Sequence, residues 1–195
     1  NKMFSTEIDV LVFLKEETKK EKCKLAFKPI VATAGNASEI HHKPNNTKLK
    51  KGFLVVDFGV KYKGYCSDCT RTFYIGKPSR GEEKLYNLVL EAQLTALNHI
   101  MPGVYAADVD LIARSVLQRY FRNFVHGLGH GVGKKIHQSP SLNPRSQSIL
   151  KKGKIITIEP GLYFKNKLGI RIEDIVAIGD GAIVLNKLTK NLILI

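Results

Sequence analysis

The sequence predicts an internally duplicated α+β fold, with helices packed on one face of a curved antiparallel sheet. Two observations carry that expectation. Segments with apolar residues at helical spacing are interspersed with β-rich runs of Val, Ile, Phe and Tyr. A set of short motifs also occurs twice, about one hundred residues apart, which marks a repeated unit. Leu49-Lys50-Lys51-Gly52 leads into Phe53 to Val56 and then Asp57, while Leu150-Lys151-Lys152-Gly153 leads into Lys154 to Ile158 and then Glu159. Thr6-Glu7-Ile8-Asp9-Val10 resembles Ala107-Asp108-Val109-Asp110-Leu111, and His41-His42-Lys43-Pro44 resembles His137-Gln138-Ser139-Pro140. Each half reads as a helix, a His-x-x-Pro loop, and two strands that each bear a carboxylate. No linker rich in Pro, Gly or Ser divides the halves, so residues 1–195 are expected to form one domain.

Taken in order, Ser5 or Thr6 caps a first helix that runs through Ile8, Leu11, Val12 and Lys15 into the polar run Glu16 to Lys24. Two β-runs follow, Phe53 to Val60 and Tyr65 to Ile75. Leu85, Leu88, Val89, Ala92 and Ala96 recur at helical spacing after Gly81-Glu82-Glu83, and Met101-Pro102-Gly103 ends that segment. Asp108 is expected to cap a third helix with Val109, Ile112, Ala113, Val116 and Tyr120 on one face. The last β-runs are Lys154 to Tyr163 and Gly169 to Ile178.

Composition narrows the function classes. With 44% hydrophobic residues in 195, the chain can bury a core, and disorder is excluded for most of its length. No apolar run approaches the roughly 20 residues of a membrane-spanning helix. The first residues mix Lys2, Glu7 and Asp9 with apolar positions, unlike a secretory signal, so a cytoplasmic protein with no membrane partner is expected. The first residue is Asn1, which leaves the sequence open as part of a longer protein. The net charge of +14 invites an anionic partner. Its lysines, however, fall in pairs such as Lys19-Lys20, Lys50-Lys51, Lys134-Lys135 and Lys151-Lys152, without the interleaved aromatics of a nucleic-acid groove. A solvated surface and no specific nucleic-acid partner are expected. Three cysteines, an odd number, suit a reducing compartment. Cys66 and Cys69 form a Cys-x-x-Cys, but in a β-rich stretch positions three apart face opposite sides and do not share a metal.

Four acids sit where strands should be buried: Asp57, Asp68, Glu159 and Glu173. Singly, each reads as a surface strand residue or half of a salt bridge. Jointly they are costly, because buried carboxylates need partners. A hairpin around Tyr62-Lys63-Gly64 is expected to set Asp57 nearly opposite Asp68, and one around Lys165-Asn166-Lys167 to set Glu159 opposite Glu173. Four converging carboxylates repel unless cations neutralise them, and two divalent ions balance four charges. The stretch His126-Gly127-Leu128-Gly129-His130-Gly131-Val132-Gly133 adds two histidines where missing side chains allow close approach.

At these residues the sequence resembles the pita-bread metallopeptidases, a family that includes methionine aminopeptidase, aminopeptidase P and prolidase. The resemblance covers nearly the whole chain. It implies five metal ligands: Asp68, His130, Glu159 and Glu173 on one ion, and Asp57 on the other, with Asp68 and Glu173 bridging. It further implies that His41, His126 and His137 line the substrate site, and that Arg171 steadies the bridging glutamate beside it. Glu159-Pro160-Gly161-Leu162-Tyr163 and Gly169-Ile170-Arg171-Ile172-Glu173-Asp174 look more like the Xaa-Pro peptidase branch than the methionine branch.

The implied activity is hydrolysis of the N-terminal Xaa-Pro bond of peptides with a free amine and proline second, by a hydroxide shared between two divalent metals. His137 stabilises the oxyanion, and Glu159 or a neighbouring histidine moves the proton to the leaving nitrogen. The oxygen-rich ligand set suits manganese, with cobalt, iron and zinc as alternatives. A homodimer is the assembly allowed for. Three departures stand out. The opening helix before Thr6-Glu7 and the N-terminal domain of larger members are expected to be lacking. Gln138 replaces the glutamate of the family's His-Glu-x-Pro, and Ser141 stands where dipeptide-cleaving members often carry an arginine. Ser141 favours aminopeptidase P over prolidase, unless Arg145 substitutes. The other readings are a prolidase-type dipeptidase, a methionine aminopeptidase, and a non-catalytic peptide- or nucleic-acid-binding protein.

Overall fold

The computed structural model describes residues 4–195, so Lys2 of the N-terminal reading lies outside the described residues. The chain opens with α1 (Glu7–Lys20), β1 (Lys24–Leu25) and β2 (Ile30–Thr33), then a 3-10 turn at Ala34–Ser38. Next come β3 (Gly52–Asp57), β4 (Val60–Tyr62), β5 (Tyr65–Cys66), β6 (Thr70–Ile75), α2 (Arg80–Asn98) and α3 (Ala106–Leu117). The rest is β7 (Gly129–Gly131), β8 (Gln138–Leu142), β9 (Ile155–Ile158), β10 (Gly161–Phe164), β11 (Leu168–Arg171), β12 (Asp174–Ile178), β13 (Ala182–Val184) and β14 (Ile193–Leu194). Among the described residues no helix is long and apolar enough to cross a membrane.

Local chemistry sets the helix ends. The Thr6 hydroxyl accepts from Asp9 N while the Asp9 carboxylate accepts from Thr6 N, a capping box that starts α1. Ser79 and Glu82 make the same reciprocal cap on α2. The helix α1 runs into the polar stretch as expected but stops within it, at Lys20. Asp108 does not cap α3: the cap position is Tyr105, which offers no side-chain acceptor, and Asp108 lies in the first turn, where it complements the helix dipole. Tyr120 falls beyond the helix, in the 3-10 turn Gln118–Asn123, and stacks edge-on against Phe164.

The duplication is visible in the backbone. Isolated bridges join Thr6 to Lys48 and Tyr105 to Ile149, tying each half's helix start to the approach to its carboxylate-bearing strand. Leu49 N donates to Ser5 O as Leu150 N does to Val104 O, both at 2.8 Å. Thr6 therefore corresponds to Tyr105, and the matching of Thr6-Glu7 with Ala107-Asp108 is two residues out of phase. Glu7 corresponds to Ala106.

The antiparallel strands expected from the sequence are hydrogen-bonded as ladders ordered β14-β6-β3-β2, β13-β12-β9-β7-β8, β10-β11 and β1-β4-β5. All pairs are antiparallel except β14 with β6. The ladders break beside the acids, after Asp57 and around Pro160, which has no N–H to contribute. The main core lies between α2, α3 and the strands, where Tyr86, Val89 and Ala92 of α2 and Val109, Ala113 and Leu117 of α3 are buried with Phe53, Tyr74, Ile156 and Ile170. A smaller cluster of Val10, Val31 and Leu54 seats α1.

Candidate metal centre

In the second half, Ile158 pairs with Asp174 in one ladder and Gly161 with Arg171 in the next, in the same register. Glu159 and Glu173 therefore face each other across the gap between ladders. The first half is arranged differently. Asp57 pairs with Thr70, and Asp68 lies between β5 and β6, so the two aspartates are offset and not opposite. The hairpin around Gly64 belongs to the separate β1-β4-β5 ladder.

His130 comes from β7. A Cβ at Gly129 would run into the Thr157 carbonyl and one at Gly131 into the Ser139 carbonyl, so these glycines admit the neighbouring backbones that hold His130. Its Nδ1 lies 3.1 Å from Gly131 O, which makes Nδ1 the protonated nitrogen and leaves the Nε2 lone pair facing Glu159 Oε1 at 3.4 Å and Asp68 Oδ2 at 3.8 Å. Ligand atoms of Asp68, His130 and Glu173 lie within 4.8 Å of one another. Asp57 and Glu159 line the same cavity of about 1230 Å³.

The carboxylates are buried and crowd one another. Burial, followed by the Asp57 and Glu159 charges, pushes the Asp68 carboxyl up to about 8. Burial pushes Glu159 up to about 7, against the pull of Arg171. Glu173 is raised by burial and by Asp68, and Asp57 by burial. His130 is lowered to about 4 by burial, so its imidazole is neutral. Asp57 Oδ1 is buried with no hydrogen-bond partner among the described residues. An orphaned carboxylate oxygen, crowded carboxylates and a neutral imidazole with an inward lone pair fit divalent cations.

Arg171 is buried, its charge favours ionisation of Glu173, and its hydrogen bonds reach that carboxylate through Thr70. Its Nη2 donates to Asp57 Oδ2 at 2.8 Å, its Nη1 to the Tyr163 hydroxyl at 2.9 Å and its Nε to Thr70 Oγ1 at 3.1 Å. It reaches Glu173 only through Thr70, whose hydroxyl donates to Glu173 Oε2 at 2.7 Å. His126 lines the cavity, but its Nε2 accepts from the Tyr163 hydroxyl at 2.8 Å and its Nδ1 lies 2.8 Å from Gly127 O. Burial lowers it to about 3, so it too is neutral. His137 packs edge-on against His130, with centroids 4.3 Å apart, and lines the cavity with His41, Gln138 and Ser141.

Tyr163, Thr70 and the Asp110–Arg114 pair were not singled out from sequence. The Arg114 guanidinium donates to Phe124 O and His126 O, and Asp110 accepts from Leu128 N, so α3 fixes the segment carrying His126. Only the helical i, i+4 spacing of Asp110 and Arg114 hinted at it. Arg145 is exposed and does not line the cavity. The Cys66 and Cys69 thiols point to Lys134 O and Glu173 O respectively.

The chain is similar to a prolidase from Thermococcus sibiricus, with a TM-score of 0.95 and 38% identity over 100% of this chain and 55% of that one. An X-Pro aminopeptidase from Thermotoga maritima gives a TM-score of 0.95 at 34% identity, covering 100% of this chain and 57% of that one. The Xaa-Pro dipeptidase of Pyrococcus furiosus is 40% identical over 174 residues, 87% of this chain and 50% of that protein. The chain thus spans about half the length of the curated relatives it matches. Residues 2–180 carry the signature of metallopeptidase family M24, and with its α+β fold and its likeness to Xaa-Pro peptidases the chain belongs to that family.

Proposed function

We propose that this chain is the hydrolytic portion of a metal-dependent Xaa-Pro peptidase that removes the first residue from peptides with a free amine and proline second. The observation that carries the reading is the convergence of Asp68, His130 and Glu173, with Asp57 and Glu159 beside them, on one cavity lined by His41, His126 and His137.

Asp57, Asp68, His130, Glu159 and Glu173 would hold two divalent ions, manganese being best suited to so oxygen-rich a set. Ions held there supply Lewis acidity that activates water and attracts a free amine. The protein's own groups do the rest. His137 donates to the carbonyl oxygen as negative charge develops on it. Glu159, partly open to the cavity, carries a proton to the proline nitrogen, which leaves as a secondary amine. Arg171, Tyr163 and His126 form a hydrogen-bonded chain in which the guanidinium opposes the effect of burial on Asp57 and the cavity wall is held in place. Ser141 faces the cavity and Arg145 does not, so this cavity wall lacks the arginine suited to a dipeptide's terminal carboxylate. That supports aminopeptidase over dipeptidase action.

The test follows release of the first residue from four peptides by the full-length, metal-loaded protein: a free-amine Xaa-Pro-Xaa, its N-acetylated copy, an Xaa-Pro dipeptide and a Met-Ala peptide. Cleavage of the free tripeptide and not the acetylated copy is expected, with the dipeptide slower. Faster dipeptide cleavage would make the protein prolidase-like, cleavage of Met-Ala alone would move it to the methionine branch, and no cleavage would overturn the reading.

A further inference from the structure

Glu7 has no part in the metal centre, yet it is completely buried in the first turn of α1. Four donors from one segment converge on it. Oε1 accepts from Thr33 N at 2.8 Å and Asn36 Nδ2 at 3.0 Å, and Oε2 from His42 Nε2 at 2.8 Å and Asn45 N at 3.1 Å. The other nitrogen of His42, Nδ1, lies 3.1 Å from Glu39 Oε2. Burial works against a charged His42, but the two carboxylates outweigh it and raise its pKa. With an acceptor at each ring nitrogen, His42 is an imidazolium donating both ways. His41, next in the chain, is exposed and faces the cavity. Pinning His42 inward thus fixes which way His41 points.

The second half supplies a comparison. Ala106 corresponds to Glu7, and Gln138 corresponds to His42 in the matching His-x-x-Pro loop. Carboxylate and imidazole occur together in one half and are both missing from the other, as expected of a functional pair.

We propose that Glu7 and His42 are positioning residues that hold His41 against the substrate. The proposal rests on the peptidase reading, and its test separates the two. Glu7→Gln is introduced into the wild-type protein and into His41→Ala, and kcat and KM are measured with an Xaa-Pro-Xaa peptide. Glu7→Gln alone is expected to lower kcat/KM about tenfold, because misplacing a group that meets the substrate is costly, and to lower it no further in the His41→Ala background. Equal losses in both backgrounds would overturn the proposal and make Glu7 merely structural.

A second measurement needs no turnover. Amide exchange at residues 41–45 should accelerate in Glu7→Gln while the exchange of α2 stays the same, and unchanged exchange at 41–45 would also overturn the proposal. If the wild-type protein cleaves nothing, the peptidase reading falls and the exchange result alone decides the positioning role. Should Glu7→Gln fail to fold, His42→Gln, which retains a donor for Glu7 but no charge, is expected to show the same pattern.

Discussion

Arg171 Nη2 lies 2.8 Å from Asp57 Oδ2, a buried ion pair that joins the second half of the chain to the first. Removing the guanidinium leaves a buried aspartate uncompensated. Arg171→Met is therefore expected to cost about 3–5 kcal/mol in the metal-free protein, measured by chemical denaturation. Adding Asp57→Asn should recover part of that loss, and a double variant as unstable as the sum of the singles would refute the pairing.

The metal-free protein should lose stability as the pH rises. Asp68, at about 8, and Glu159, at about 7, stay protonated in the folded state at pH values where the unfolded chain has released those protons. At these two acids the folded state binds more protons than the unfolded one, so their contribution is full below about pH 4 and is lost as the pH climbs through those values, whereas His130 and His126, lowered by burial, act in the opposite sense only below about pH 6.5. The melting temperature after chelation is expected to drop between about pH 6.5 and about pH 8, and restoring divalent ions should flatten the profile. A chelated protein that gains stability over this range contradicts the assignment.

Asp68 is the carboxylate read as serving both ions. Equilibrium dialysis should find about two divalent ions per chain, falling sharply in Asp68→Ala. Occupancy unchanged by that substitution would remove Asp68 from the ligand set.

His137→Ala should keep its metal and lose about 10² or more in turnover, the typical contribution of one preorganised donor to an oxyanion. Loss of metal instead would make His137 a support for His130, against which it packs.

Ser141 offers a gain-of-function test. Ser141→Arg is expected to improve hydrolysis of Xaa-Pro dipeptides relative to tripeptides, because a guanidinium there meets a terminal carboxylate bidentately. An unchanged ratio would show that chain-length preference is set elsewhere.

The strand carboxylates and the glycine-flanked His130 stand out in the sequence because acids inside apolar runs are expensive to bury, and the structure brings them to one cavity. The doubling of the chain was legible for the same local reason, since short identical runs precede the strands in both halves. Partnerships were less legible. That Arg171 grips Asp57 and not Glu173 depends on Thr70 standing between them, a detail of three-dimensional packing. The helix phase was misjudged by two residues because acidic residues repeat in both first turns, whereas the backbone bridges of Thr6 and Tyr105 fix the true correspondence. The four-donor cage around Glu7 spans segments up to 38 residues apart and left no periodic trace.

The bonds that tie the two halves together at the centre are extremely non-local. Asp57–Arg171 closes a separation of 114 residues, and Thr70–Glu173 and Arg71–Asp174 each close 103. Such contacts carry a heavy loop-closure penalty and form late in folding. Crowding of the four carboxylates begins only when the two carboxylate-bearing hairpins meet. A bound divalent ion would then act after the rate-limiting barrier, slowing the escape from the native state far more than it speeds arrival. In stopped-flow experiments the unfolding limb should shift with metal concentration while the refolding limb barely moves, giving the protein a lifetime set by its cation supply.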